Sequence, residues 1–184
     1  MRRMLAAVNP ADLSDQVRNL ITDVPDFPKP GIVFKDLTPV FGDGATGAAI
    51  ATMFAERYAG QGIDAIVAIE SRGFLLGAPM AARMEKPLVL VRKPGKLPRE
   101  TLSQSYQLEY GEDTLQIHAD ALEKGQRVVI VDDLLATGGT AEATCNLVRQ
   151  TGAEIAEVAF LVELGFLQGR ARLSAYDCFS VVTY

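Results

Sequence analysis

Histidine, cysteine and long apolar runs are all scarce in this chain of 184 residues, and each scarcity closes off a class of function. One histidine, His118, is too few for a histidine-built metal site, which draws on several ligands. Cys145 and Cys178 are the only cysteines. They allow one disulfide but form no framework, so two reduced, mostly buried thiols are expected. The apolar runs, such as Ala65 to Ile69 and Val128 to Val131, fall far short of the roughly 20 residues a membrane helix needs. Excess positive charge is lacking too. A net charge of -5 argues against non-specific binding of nucleic acid, which phosphate neutralisation drives. Small anionic ligands stay open, provided basic residues gather locally.

What is present describes a soluble globular chain: 48% hydrophobic and 22% charged residues, at a length that fits one domain with a real core. Met1-Arg2-Arg3-Met4-Leu5-Ala6-Ala7-Val8 begins like a secretion signal. Its apolar stretch is short, however, and Asn9-Pro10-Ala11-Asp12 follows at once, so a cytoplasmic location is expected.

Leu13, Val17, Leu20 and Ile21 recur at helical spacing and predict an amphipathic helix over Ala11 to Val24. Pro25, Pro28, Pro30 and Gly31 then predict an irregular segment anchored by Phe27, Ile32, Val33, Phe34 and Phe41 rather than by secondary structure. From Ala45 onward, helices and strands alternate. Helices are expected from Ala45 to about Tyr58, from about Gly73 to Met84 and from Gly139 to about Gln150. Nearly pure apolar strands are expected at Asp64 to Glu70, Pro87 to Arg92, Arg127 to Asp133, Ile155 to Glu163 and Cys178 to Tyr184. Tyr106, Leu108 and Tyr110 alternate, as do Leu115 and Ile117, with Gly111 to Asp113 between them, which predicts a hairpin. The pattern is that of a parallel-sheet α/β domain with one inserted hairpin.

The stretch VVIVDDLLATGGTAEAT, Val128 to Thr144, places two acids and a glycine pair between a buried strand and a helix. In an open α/β sheet, that is where ligands are held. Small residues at Ala136, Thr137, Gly138, Gly139 and Thr140 leave amide N–H groups converging at a helix N-terminus, a nest for phosphate helped by the two threonine hydroxyls. No lysine follows the glycines, so this is not a triphosphate loop. Asp132 and Asp133 cannot bind phosphate, so they should face ribose hydroxyls or a hard cation. Nest and acids together describe a ribose 5-phosphate. The bland alternative is a helix capped by Thr137, with solvated acids near its start.

VVIVDDLLATGGT resembles the phosphoribosyl-pyrophosphate motif of the type I phosphoribosyltransferases. The DDLLATGGT form, with PDFP, PGIVFKD, SRGF, RKPGKLP and YQLEYG, resembles the adenine branch of that family. These blocks run in family order from Pro25 to Thr140, and LVEL (Leu161 to Leu164) with Gly169 and Arg170 extends the match. The resemblance implies a type I phosphoribosyltransferase-like α/β fold: a central parallel β-sheet flanked by helices, an N-terminal hood over about residues 1–41, and a flexible loop with a β-hairpin flap over about residues 93–118. One domain over residues 1–184 is expected. The implied substrates are adenine and 5-phosphoribosyl 1-pyrophosphate. The implied cofactor is Mg2+, held mainly through ligand oxygens with no firm protein ligand, and the implied assembly is a homodimer.

The same resemblance distributes roles. Ser71 and Arg72 would bind pyrophosphate, with a strained peptide between Glu70 and Ser71; a serine helix cap beside a surface arginine is the plain alternative. Arg92, Lys93 and Lys96 put three cations in five residues of an otherwise acidic chain, suited to a departing pyrophosphate. In the family, part of that loop serves the neighbouring subunit. Phe34 would stack on the purine while backbone groups of Val33 and Lys35 read its edge, although most phenylalanines are core anchors. Lys35 stands where relatives often carry Arg, which puts a bidentate side-chain role there in question. Glu109 would exchange a proton with the purine imidazole, and the polar stretch Arg99 to Ser105 would be a lid excluding water. Glu109 and Arg72 are the catalytic candidates.

Gly42, Gly44 and Gly47 match G-x-G-x-x-G, but Lys35, Asp36 and Pro39 occupy the place of the buried strand that a dinucleotide site requires. These glycines predict only the entry to a helix. Specificity for hypoxanthine or guanine, and a non-catalytic regulator that senses phosphoribosyl pyrophosphate, stay open as alternatives.

Overall fold

Leu13 and Val17 stand one helical turn apart and are fully buried, which sets the inward face of α1 (Pro10–Leu20). The structure, a computed structural model, describes residues 10–107 and 111–184. It divides the chain into two compact units, Met1–Arg57 and Tyr58–Tyr184.

In the first unit, α1 stops short of the predicted Val24. Thr22–Pro25 (β1) instead pairs antiparallel with Val33–Asp36 (β2), Val24 opposite Phe34. The proline-rich segment is thus partly a two-stranded ribbon rather than wholly irregular. Pro25 closes β1 while Pro28 and Pro30 fall in the connection, where a missing N–H breaks no ladder. The expected anchors are also corrected. Phe27, Ile32 and Val33 are 51%, 41% and 53% exposed, whereas Leu37 and Val40, around the short helix α2 (Thr38–Gly42), are fully buried. Gly42 closes α2, Gly44 opens α3 (Gly44–Arg57) and Gly47 lies within it, so of the glycine triplet only Gly44 is a helix entry, and a helix rather than a strand precedes it.

The second unit is built on β3 (Ala65–Ile69), α4 (Gly73–Met84), β4 (Leu88–Val91), the hairpin β5 (Thr101–Gln107) and β6 (Glu112–His118), then β7 (Arg127–Leu135), α5 (Gly139–Thr151), β8 (Glu154–Glu163) and β9 (Cys178–Thr183). Five strands form a parallel sheet in the order β4-β3-β7-β8-β9. Every residue of β3, and Val128 to Val131 of β7, is buried. Apolar residues at consecutive positions point to both faces, so these two strands take the centre of the sheet. Val128, Ile130, Val158 and Phe160 share one core with Leu147 and Val148 of α5, each side chain worth roughly 1.5–3 kcal/mol on burial.

The hairpin packs against α5. Its strands are longer than the alternation suggested: Thr101 to Ser105, expected within a lid, belong to β5, and Glu112 and Asp113, expected in the turn, belong to β6. Polar side chains on the outer face hid this pairing from a hydrophobic pattern. Two 3₁₀ turns, Gly165–Leu167 and Gly169–Leu173, join β8 to β9. Among the described residues no helix is long and apolar enough to cross a membrane.

Candidate active site

The chain leaves β3 for β4 on one side and later returns as β7 on the other, with Ala68 beside Val131. At such a switch point the loops leaving the two strands diverge and open a crevice. Here the crevice is a pocket of about 220 Å³ lined by Glu70, Ser71 and Arg72 from the β3 loop, and by Asp132 through Ala141 from β7, its loop and the start of α5. The topology therefore brings together the expected phosphate residues Ala136 to Thr140, the expected ribose residues Asp132 and Asp133, and two expected pyrophosphate residues, Ser71 and Arg72.

Gly138 turns the phosphate loop into α5 with φ +84, a left-handed value that favours glycine. The first bond into the helix is from Glu142 N–H to Gly138 O at 2.9 Å. The amides of Gly139, Thr140 and Ala141 precede it and have no acceptor within the helix, so they can serve an anion. Thr137 does not cap the helix; Gly138 occupies that place, with no side-chain cap. Behind the loop stands Gly169, whose carbonyl oxygen would lie 2.5 Å from a Cβ on Gly138. Gly169 is fixed by its neighbour: Arg170 Nε donates to both oxygens of Glu163, at 2.7 and 2.9 Å, and Ser180 Oγ donates to Glu163 at 2.8 Å.

The acids do not end their strand as expected. β7 continues to Leu135, with Asp132 paired to Phe160 and Leu134 to Val162. Alternation along the strand leaves Asp132 half-buried and Asp133 buried. Asp133 N–H donates to Asp132 Oδ1 at 2.8 Å. Arg72 Nε lies 2.8 Å from Asp133 Oδ2 without hydrogen-bond geometry, so the contact is an ion pair. Burial pushes both carboxyls up, and the neighbouring charge of Asp133 pushes Asp132 further; Arg72 acts in the opposite sense on both. Gly73 allows the close approach, since a Cβ there would sit 2.8 Å from Val131 O. The Glu70–Ser71 peptide, where the resemblance implied strain, is cis.

Arg92, Lys93 and Lys96 are not among the residues lining the pocket. Arg92 Nε pairs with Glu70 Oε2 at 3.2 Å, and Lys93 N–H donates to the same oxygen at 2.9 Å. Burial alone would raise the Glu70 carboxyl, but the Lys93 amide and Arg92 hold it below its ordinary range. Lys93 Nζ lies 3.0 Å from Asp113 Oδ2, and that hydrogen bond raises the ammonium pKa. Lys96 is exposed and forms no ion pair among the described residues.

In the N-terminal unit, Val33 is exposed and Phe34 half-buried, with Phe27 edge-on to it at 5.1 Å and 75°. Lys35 Nζ pairs with Asp23 Oδ1 at 2.6 Å across the ribbon, which engages the side chain whose role was in question. Glu109 lies outside the described residues. No group of three or more His, Cys, Asp or Glu among the described residues is placed to hold a metal ion. The all-oxygen set of Asp132 and Asp133 nevertheless suits a hard cation that a ligand brings with it.

Sequence reading missed Tyr106, Asp113, Glu163 and the supporting place of Gly169. Tyr106 had a signal in its alternation. The other three are defined by contacts across the fold, and Glu163, within LVEL, and Gly169 with Arg170 carried only a family match.

Three comparisons bear on this arrangement. The model of the phosphoribosyl transferase domain matches residues 43–183. Over 170 residues the chain is 54% identical to the adenine phosphoribosyltransferase of Syntrophotalea carbinolica, covering 92% of this chain and 99% of that one. Its fold matches that of adenine phosphoribosyltransferase from Thermoanaerobacter pseudethanolicus with a TM-score of 0.89 at 51% identity, covering 93% and 99% of the two chains. The enzyme of Saccharomyces cerevisiae, complexed with D-2,5-dideoxy-2,5-imino-altritol 1,6-bisphosphate and adenine, matches with a TM-score of 0.88 at 37% identity, covering 93% and 99%. The chain belongs to the adenine phosphoribosyltransferase family.

Proposed function

We propose that the chain transfers the 5-phosphoribosyl group from 5-phosphoribosyl 1-pyrophosphate to adenine, giving AMP and pyrophosphate in purine salvage. The observation that carries this reading is the union, in one pocket at a switch point, of a phosphate nest and two carboxylates from β7 and its loop with Ser71 and Arg72 from the adjoining β3 loop.

The loop Ala136 to Thr140 takes the 5′-phosphate through its amides and the hydroxyls of Thr137 and Thr140. Asp132 and Asp133 accept hydrogen bonds from the ribose hydroxyls, which also hold the carboxylates ionised against the cost of burial. Ser71 and Arg72 hold the pyrophosphate, with Arg92, Lys93 and Lys96 contributing as the basic loop moves. Mg2+, held mainly through ligand oxygens near Asp132 and Asp133, would supply positive charge to offset that of the departing pyrophosphate. As the bond from the anomeric carbon to pyrophosphate oxygen breaks, its electron pair goes to pyrophosphate, where Arg72 offsets the growing charge. An imidazole nitrogen of adenine forms the new bond from the opposite face and loses its proton, which Glu109 accepts. Base recognition by Val33, Phe34 and Lys35 rests on the sequence resemblance.

A homodimer in which part of this basic loop serves the neighbouring site rests on the sequence resemblance. A cytoplasmic location belongs to the same proposal, in keeping with free Cys145 and Cys178. The deciding assay is pyrophosphate release with adenine, hypoxanthine, guanine and orotate in turn. Adenine should be turned over fastest; no turnover with adenine, or a better rate with another base, would overturn the reading.

A further inference from the structure

Tyr106 belongs to the flap hairpin, not to the central sheet, yet it meets the phosphate loop twice. Its ring lies over Gly139, where a Cβ would stand 3.4 Å from Cδ2. Its hydroxyl accepts from Thr140 Oγ1 at 3.3 Å and donates to Asp113 Oδ2 at 3.4 Å. Asp113 in turn holds Lys93 Nζ at 3.0 Å. One line of polar contacts therefore runs from the phosphate loop, through the flap, to the basic loop.

The protons along that line are limiting. Threonine and tyrosine hydroxyls each have one proton to give. When Thr140 turns its proton to a phosphate oxygen, it no longer donates to Tyr106, and Oγ1 presents lone pairs to the phenol instead. Tyr106 can then give its proton to Thr140 only by withdrawing it from Asp113. Both contacts exceed the usual range of about 2.5–3.0 Å for such bonds, so neither locks the phenol, and the reversal is a small rotation. Burial raises the phenol above its ordinary value, which keeps the proton on it at neutral pH.

We propose that Tyr106 is a positioning residue for phosphoribosyl pyrophosphate: its hydroxyl orients Thr140 Oγ1 toward the 5′-phosphate and links occupancy of that loop to the hold of Asp113 on Lys93. The proposal rests on the function given above. It makes the flap a sensor of the phosphate group as well as a cover. Filling the nest removes the Tyr106 hydrogen bond from Asp113, which leaves Lys93 as the side-chain partner of Asp113 Oδ2 and tightens that pair.

The test is Tyr106→Phe, which keeps the ring on Gly139 and deletes only the hydroxyl, with ribose 5-phosphate binding followed by calorimetry. Affinity should fall about fivefold, the size of one neutral hydrogen bond. KM for phosphoribosyl pyrophosphate should rise by a similar factor, with kcat within twofold, KM for adenine unchanged and the melting temperature held. In a Thr140→Ala background the same substitution should have no further effect. Unchanged affinity in Tyr106→Phe, or an equal loss in the Thr140→Ala background, would overturn the proposal. If Tyr106→Phe melts early, the Thr140→Ala comparison is made with Tyr106→Phe at a temperature where both are folded, and the same two outcomes decide. A wild-type chain that binds ribose 5-phosphate but does not turn over adenine would remove the activity, and the binding cycle would still judge Tyr106.

Discussion

Gly138 and Gly169 face each other across the back of the phosphate loop with no room for a side chain: a Cβ on Gly138 would stand 2.5 Å from the Gly169 carbonyl oxygen. A Cβ on Gly169 would collide with the Ala136 carbonyl in turn. The loop proposed to present its amides to phosphate is thus braced by a segment roughly thirty residues downstream, itself fixed by the Glu163–Arg170 pair.

The first prediction follows from that contact. Gly169→Ala forces backbone against backbone, which should cost about 1–3 kcal/mol of stability and displace the nest. KM for phosphoribosyl pyrophosphate should rise at least tenfold, more than KM for adenine. Steady-state kinetics with each substrate varied would check this, and equal effects on both would show that the contact does not shape the phosphate site.

Asp133→Asn should separate binding from folding. The buried carboxyl of Asp133 is strained toward protonation by its burial, so a neutral isostere removes a cost, and Arg72 keeps 38% of its side-chain surface in solvent after losing its partner. Thermal stability should be kept, while affinity for phosphoribosyl pyrophosphate falls about tenfold, or about 1.4 kcal/mol. Calorimetric titration alongside a melting curve measures both; unchanged binding would remove the ribose role.

Glu163 should give stability a dependence on acid. Burial alone would raise its carboxyl, but hydrogen bonds from Arg170 and Ser180, and the charge of Arg170, hold it below its ordinary 4.5. A depressed folded-state value means stabilisation that is present above about pH 4.5 and is lost as pH falls through the folded value. Glu163→Gln should therefore cost about 1–3 kcal/mol at pH 7, less than a fully buried pair because Arg170 is 46% exposed. The cost should shrink toward pH 4. Urea unfolding of both proteins at the two pH values tests this, and a pH-independent difference would refute it.

Cys145 should be chemically silent in the native protein. Burial pushes its thiol up to about 12, and the residue has no exposed surface. Titration with a thiol-reactive chromophore at pH 8 should show no fast labelling of Cys145 until denaturant is added. Rapid native labelling, mapped by mass spectrometry, would contradict the packing of α5.

Legibility in the sequence followed the range of the forces involved. α4, Gly73–Met84, was readable because its apolar positions and its glycine entry are local. The ribbon of β1 and β2 was not. Its hydrogen bonds join Thr22 to Asp36 across a turn, and prolines at Pro25, Pro28 and Pro30 masked the strands that flank them. β5 was cut short for a related reason: Ser103 and Ser105 alternate outward without any apolar signature. Within the site, the lining from Asp132 to Thr140 was legible as one string. Tyr106, Asp113 and Gly169 were not, because each acts on that string from another part of the chain.

By itself the sequence determined the chemistry on offer: small residues that free amides at a helix start, two acids beside them, and apolar runs that must be buried on both faces. Tertiary structure decided which groups meet. Placing β7 against β3 set Arg72 on Asp133, and folding the hairpin onto α5 set Tyr106 on Thr140. Backbone propensity is written in neighbouring residues, whereas such pairings depend on which strand wins the place beside another, a matter of packing over the whole core.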